Sequence, residues 1–160
     1  MPRLDTLSPM ARQVLVNFPC LEYDSTPWTP LRRPLAESTL ALVTTAGLHV
    51  RGASPFITDP TGGDASFRVI PMHTPASEIL QSHASIGFDH TAFYRDINVT
   101  LPLDRLRELH ERGVIGQLAA EAYSFMGALR NPRRLQEDTG PQVAERLKAA
   151  GVEAVLLTPT

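Results

Sequence analysis

The stretch "SHASIGFDHTAFYRDIN", residues 82–98, gathers His83, Asp89, His90 and Asp96. Imidazoles and carboxylates so close in sequence can move protons, one group as acid and another as base. The same donor types suit zinc, iron or manganese. Their spacing matches no established metal motif, and such side chains also serve as loop hydrogen-bonders and helix caps. All three readings stay open at this point. A second group is "TTAGLH", with Thr44, Thr45, Gly47 and His49 following an apolar run. Hydroxyls and backbone N–H groups at a strand end can hold a carboxylate, although an ordinary strand-end turn has the same composition. "RNPRRL" supplies Arg130, Arg133 and Arg134, which suit either an anion or a solvated turn. Cys20 has no histidine or lysine near it in sequence, so nothing local activates it as a nucleophile.

Other chemistries are excluded or disfavoured. Neither a GxGxxG nor a GxxxxGK[ST] loop occurs, which argues against nucleotide binding. One cysteine permits no internal disulfide and no Cys-rich zinc site. A net charge of −2 gives no field for nucleic acid or a membrane surface. Arginine dominates the cations, and Lys148 is the only lysine. No apolar run approaches the roughly 18 residues of a membrane span, and no charged-then-apolar leader pattern opens the chain. A cytoplasmic protein of one domain is the expectation for 160 residues.

The elements that must position these residues follow from the apolar pattern. Residues 1–36 read as a proline-rich arm, with a short helix in "SPMARQVLVNF" capped by Ser8. "DSTPWTPLRRPL" should run extended over the surface, with Trp28 as its apolar anchor. Leu40-Ala41-Leu42-Val43 reads as a strand buried on both faces. Residues 51–66 read as a loop, "FRVIPM" as a strand ended by Pro71, and residues 74–98 carry no clear pattern. "TLPLDRLRELHERG" reads as a helix capped by Thr100 and stopped by Gly113. Residues 117–130 read as another helix. "TGPQVAERLKAAG" reads as a helix with a Thr139/Gln142 capping box, an apolar face of Val143, Leu147 and Ala150, and Gly151 as its stop. It leads straight into a buried strand at residues 153–158, a junction typical of parallel α/β units.

Several segments in this order resemble one family: "WTPLRRPLAESTLALVTTAGLHV", "DASFRVIP", "SH…DH…RDINVTLPLDRLRELHERGVIG", "YSFMG" and "GVEAVLLTP". The chain is similar, from about Trp28 to Thr160, to the selenoprotein B components of the glycine, sarcosine, betaine and D-proline reductases. The D-proline reductase type is nearest in length and order. The resemblance implies an oxidoreductase component acting on a small amino-acid-like substrate, often with a pyruvoyl partner subunit. It also implies a selenocysteine or cysteine nucleophile just beyond the "LLTP"-like strand, with a second cysteine a few residues on. Here the sequence stops at Thr160, so that nucleophile is absent. A reading frame continuing past a UGA codon is the corresponding expectation.

The sequence therefore predicts an α/β fold with a mostly parallel sheet, flanking helices and a proline-rich N-terminal arm. Residues 37–160 would form the reductase-like domain, incomplete at its C-terminus. The strand ends at Val43 and Thr158 should be parallel neighbours. In the reductase reading, Thr44, Thr45, Gly47 and His49 bind substrate, while His83, Asp89 and His90 orient it or relay protons. A protein partner subunit or a homo-oligomer is expected, and no nucleic acid or membrane. Two alternatives stand beside it. One is a non-catalytic small-molecule-binding or assembly subunit. The other is a metal-dependent enzyme using His83, Asp89, His90 and Asp96, with no resident cofactor otherwise expected.

Overall fold

The computed structural model describes residues 4–17, 22–58, 63–83, 85 and 90–159. In chain order the elements are α1 (Pro9–Val16), β1 (Thr39–Thr44), β2 (Leu48–Val50), β3 (Phe67–Pro71), β4 (Ile79–Gln81), α2 (His90–Arg95), α3 (Leu103–Glu111), β5 (Gln117–Leu118), β6 (Glu121–Phe125), α4 (Gly140–Ala149) and β7 (Ala154–Thr158). Cys20 and Asp89 lie outside the described residues.

β1 is the centre of a five-stranded sheet. On one edge it pairs in parallel with β5 through Thr39 and Leu40, then with β6 through Val43 and Thr44. On its other edge it pairs in parallel with β7 along its length, from Leu40↔Ala154 to Thr44↔Thr158. The expected parallel pairing of the two strand ends is therefore present. β3 adds an antiparallel edge beside β6, and β2 with β4 forms a separate antiparallel ribbon. The sheet is thus mixed, with a parallel centre.

Alternation along β1 and β6 divides the core. Leu40, Leu42 and Ala122 face Leu103 and Leu106 of α3. Val43, Tyr123 and Phe125 face Val143 and Leu147 of α4. Leu42, Leu48, Ile70 and Leu101 are wholly buried, and each stabilises the fold by about 1.5–3 kcal/mol relative to exposure.

Several sequence expectations are corrected. Residues 117–130 are not a helix but contain β5 and β6. Lying between two helical layers, Ala122 through Met126 are all buried, and that burial overrides their helical propensity. Thr100 does not cap α3. The N-cap position of that helix is Pro102, and the Asn98 side-chain oxygen accepts from the Asp104 N–H at 3.0 Å. The Thr139/Gln142 box does not form, because a π turn at Leu135–Thr139 runs directly into α4. The Thr139 hydroxyl donates instead to the Ala65 carbonyl, and Gln142 reaches back to Asp138. Trp28 anchors nothing, being 83% exposed. Polar contacts fasten the arm in its place: Arg33 pairs with Glu153, and Gln136 donates to the Tyr23 hydroxyl. β7 is not buried on both faces, since Val155, Leu156 and Leu157 are all exposed. Ser8 does cap α1, accepting from the Ala11 N–H, and Gly113 and Gly151 end α3 and α4 in the left-handed conformation.

Candidate functional site

The three parallel strands lie in the order β6–β1–β7. The chain passes from β1 to β6 by way of α3 on one face, and from β6 to β7 by way of α4 on the other. The first connection therefore runs to one side of β1, and the second returns across β1 to its other side. A crevice opens at such a reversal, outside the carboxyl ends of the strands, and that is where open α/β sheets take their ligands. In this chain the reversal falls at the paired ends of β1 and β7, Thr44-Thr45 and Thr158.

Thr44 is fully buried and faces inward. Its hydroxyl donates to the Thr100 carbonyl at 3.0 Å and accepts from the Ala46 N–H at 3.2 Å. The Thr158 hydroxyl donates to the same Thr100 carbonyl at 2.9 Å. These two hydroxyls clamp the strand ends together rather than pointing at a ligand. Thr45 is half-buried. Its N–H donates to the Thr158 carbonyl at 3.2 Å, and its carbonyl accepts from the Gly127 N–H at 2.7 Å.

Gly47 makes the turn that leads into β2. Its φ of 66° favours glycine. An added Cβ would also meet the Ser82 carbonyl oxygen well inside van der Waals contact. The turn is stitched on both sides. Gly47 donates to the Phe125 carbonyl and accepts from the Ser82 N–H at 2.8 Å, while Leu48 N–H donates to Ser124 Oγ at 2.8 Å. The 81–83 segment is thereby drawn against the carboxyl end of β1.

Three histidines meet at this junction. His49 is buried, and its ring nitrogens lie 3.3 Å from the Val50 carbonyl and 3.0 Å from Ser82 Oγ. Because that carbonyl can only accept, Nδ1 donates and Nε2 accepts from the serine. His49 thus ties β2 to the 82 segment. His83 Nδ1 accepts from the Ser85 N–H at 3.1 Å. Burial holds the His83 ring below the ordinary histidine range, and the charge of nearby His90 adds to this, against an opposing hydrogen bond to the Thr45 backbone. His90 opens α2, and its Nδ1 lies 2.7 Å from Gln81 Oε1. Gln81 in turn donates to the Ala46 carbonyl at 3.0 Å.

His83, His90, Thr45, Gly47 and His49 therefore share one region. Asp96 does not join them. It is exposed and caps the Ile97–Val99 turn, accepting from the Asn98 N–H at 2.9 Å. Among the described residues no three metal-ligating side chains converge. Arg133 and Arg134 are neutralised one turn on by Glu137 and Asp138, so a solvated turn describes them. Sequence reasoning missed Gln81 and Ser82, which only the pairing of β2 with β4 brings in, and it placed Thr158 beside the end of β1 without giving its hydroxyl a role.

An apolar groove of about 500 Å³ lies on the α4 side, lined by Val43, Phe125, Val143, Leu147, Val155 and Leu157 among others. α4 covers β6 but leaves β7 bare, with Leu157 66% exposed. No helix among the described residues is long and apolar enough to cross a membrane.

Comparisons with known proteins accord with this order of motifs. The family model for glycine/sarcosine/betaine reductase selenoprotein B matches residues 13–160. The D-proline reductase subunit gamma of Acetoanaerobium sticklandii is 40% identical over 131 residues, covering 82% of this chain and 52% of that protein. The glycine reductase complex component B subunit gamma of Carboxydothermus hydrogenoformans is 30% identical over 148 residues, covering 90% of this chain and 33% of that protein. The sarcosine reductase complex component B subunit beta of Peptoclostridium acidaminophilum is 28% identical over 154 residues, again 90% of this chain and 33% of the relative. The chain thus spans about half to a third of the length of these relatives, all of them subunits of reductase assemblies. No solved structure matches it. By the family model and by these relatives, the chain belongs to the glycine/sarcosine/betaine reductase selenoprotein B family.

Proposed function

We propose that the chain is the component of a D-proline or glycine reductase-type assembly that receives a small amino-acid-like substrate and handles its protons. The observation that carries this reading is the meeting of His83 and His90 with the Thr45–Gly47 turn at the strand-order reversal. Reductive cleavage of a carbon–nitrogen bond takes up an electron pair and a pair of protons. The imidazoles suit the proton half of that balance. The backbone N–H groups of Thr45, Ala46 and Gly47 all donate within the fold, so the substrate carboxylate falls to side chains at this junction, while Thr44 and His49 hold the turn in place. The electron half needs a soft nucleophile and a resolving thiol. These 160 residues hold only Cys20, so the redox pair lies outside them, where the family resemblance expects it beyond the "LLTP"-like strand.

The test is a reductase assay with a dithiol donor and D-proline, glycine, sarcosine or betaine. The purified chain alone should give no turnover. Extended through the segment that follows the "LLTP"-like strand in the family and combined with the other subunits of a D-proline reductase, it should support substrate loss, and His90→Ala should lower that rate by about 100-fold or more. Turnover by the chain alone, abolished by Cys20→Ser, would contradict the proposal.

A second reading, a binding or assembly subunit, is favoured by the bare apolar groove beside Val155 and Leu157. In that case His90→Ala would leave the assembled rate unchanged.

A further inference from the structure

Resting on that reading of the site, we propose that Gln81 is a positioning residue that holds His90 as the Nδ1–H tautomer. The neutral ring then keeps its basic lone pair on Nε2.

The argument starts at the Ala46 carbonyl, which can only accept. Gln81 places its amide nitrogen 3.0 Å from that oxygen, and this fixes which way the amide points. Its Oε1 is then turned to His90 Nδ1 at 2.7 Å. An amide oxygen also only accepts, so Nδ1 must donate. A neutral imidazole has one N–H, which leaves the lone pair on Nε2.

Gln81 is itself held by the backbone. It is the last residue of β4 and pairs with Leu48 across the ribbon, in register with the turn whose carbonyl it caps. A side chain of similar length without an amide would leave the Ala46 carbonyl and His90 Nδ1 unpaired in a half-buried place. A carboxylate there would keep the acceptor for Nδ1 and lose the donor to Ala46. These differences make the proposal testable by substitution.

The experiment is a long-range ¹H–¹⁵N correlation spectrum of the five imidazoles in the full chain. It is recorded at a pH of about 8, above the ordinary histidine range. His90 should show the Nδ1–H pattern. Gln81→Leu should shift His90 to the Nε2–H form that free side chains favour in water, and Gln81→Glu should keep the Nδ1–H pattern. An Nε2–H pattern for His90 in the unaltered protein would overturn the proposal, as would an Nδ1–H pattern surviving Gln81→Leu. If Gln81→Leu fails to fold, the unaltered protein and Gln81→Glu decide the matter. The tautomers are read without substrate, so this result stands apart from the ligand reading of the site. Should substrate bind there while His90 carries the other tautomer, only the role of Gln81 falls.

Discussion

His83 is the residue whose protonation the fold opposes most directly. Burial and the neighbouring His90 keep its proton affinity below the ordinary value of 6.5. In the unfolded chain the ring takes up a proton as pH falls through 6.5, while the folded ring does so only at lower pH. Between those points the unfolded state holds more protons, so stability rises with pH. The benefit is full above 6.5 and is lost as pH falls toward the lowered folded value. Urea midpoints measured between about pH 7.5 and 5.5 should therefore fall less steeply for His83→Asn than for the unaltered chain. Equal slopes would mean that His83 titrates as it does in water. The chemistry at this scale was partly legible. His83, His90 and Thr45 were evident from type and clustering alone. The clamping roles of Thr44 and His49 were not, because each depends on a partner distant in sequence: Thr100 and Thr158 for one, Ser82 for the other. Asp96 had the right chemistry, but its nearest partner is its own neighbour Asn98, which turns it into a cap.

Among the elements, the β1–β2 turn does most to assemble the site. Gly47 combines a left-handed φ with direct apposition to the Ser82 carbonyl. Gly47→Ala meets both obstacles, backbone strain and a backbone clash, and should destabilise the fold by about 2–3 kcal/mol or more. The same change should loosen the 81–83 segment. A thermal-unfolding midpoint within a degree or so of the unaltered protein would show that the turn tolerates a side chain. Elements with their own periodicity and end signals were readable in sequence: α3 and α4, and the strand β1. β6 was misread because "AAEAYSF" favours a helix in isolation. Its small residues have another use, since Ala122 lets α3 approach and Ser124 accepts from the Leu48 N–H. The capping box failed for a related reason, because Thr139 is buried and turned to Ala65 by the packing of α4.

Across the whole molecule, a parallel centre of three strands with helices on opposite faces gives one strand-order reversal, and the histidine cluster is fastened beside it. The pairing of β1 with β7 was foreseeable from two apolar runs, each followed by a polar strand end. The antiparallel β3 edge was not, since "FRVIP" has the same apolar character in either direction. The bare face of β7 and the groove beneath α4 show where this sheet offers apolar surface to another layer. The central claim is that the crevice at the ends of β1 and β7 takes an amino-acid-like ligand beside His83 and His90. The most direct measurement is an amide chemical-shift map of the ¹⁵N-labelled chain titrated with D-proline, glycine, sarcosine and betaine. The account predicts saturable shifts centred on Thr45, Gly47, His83, His90 and Thr158. An unchanged spectrum at millimolar ligand, or shifts confined to the Arg130–Arg134 turn, would contradict it.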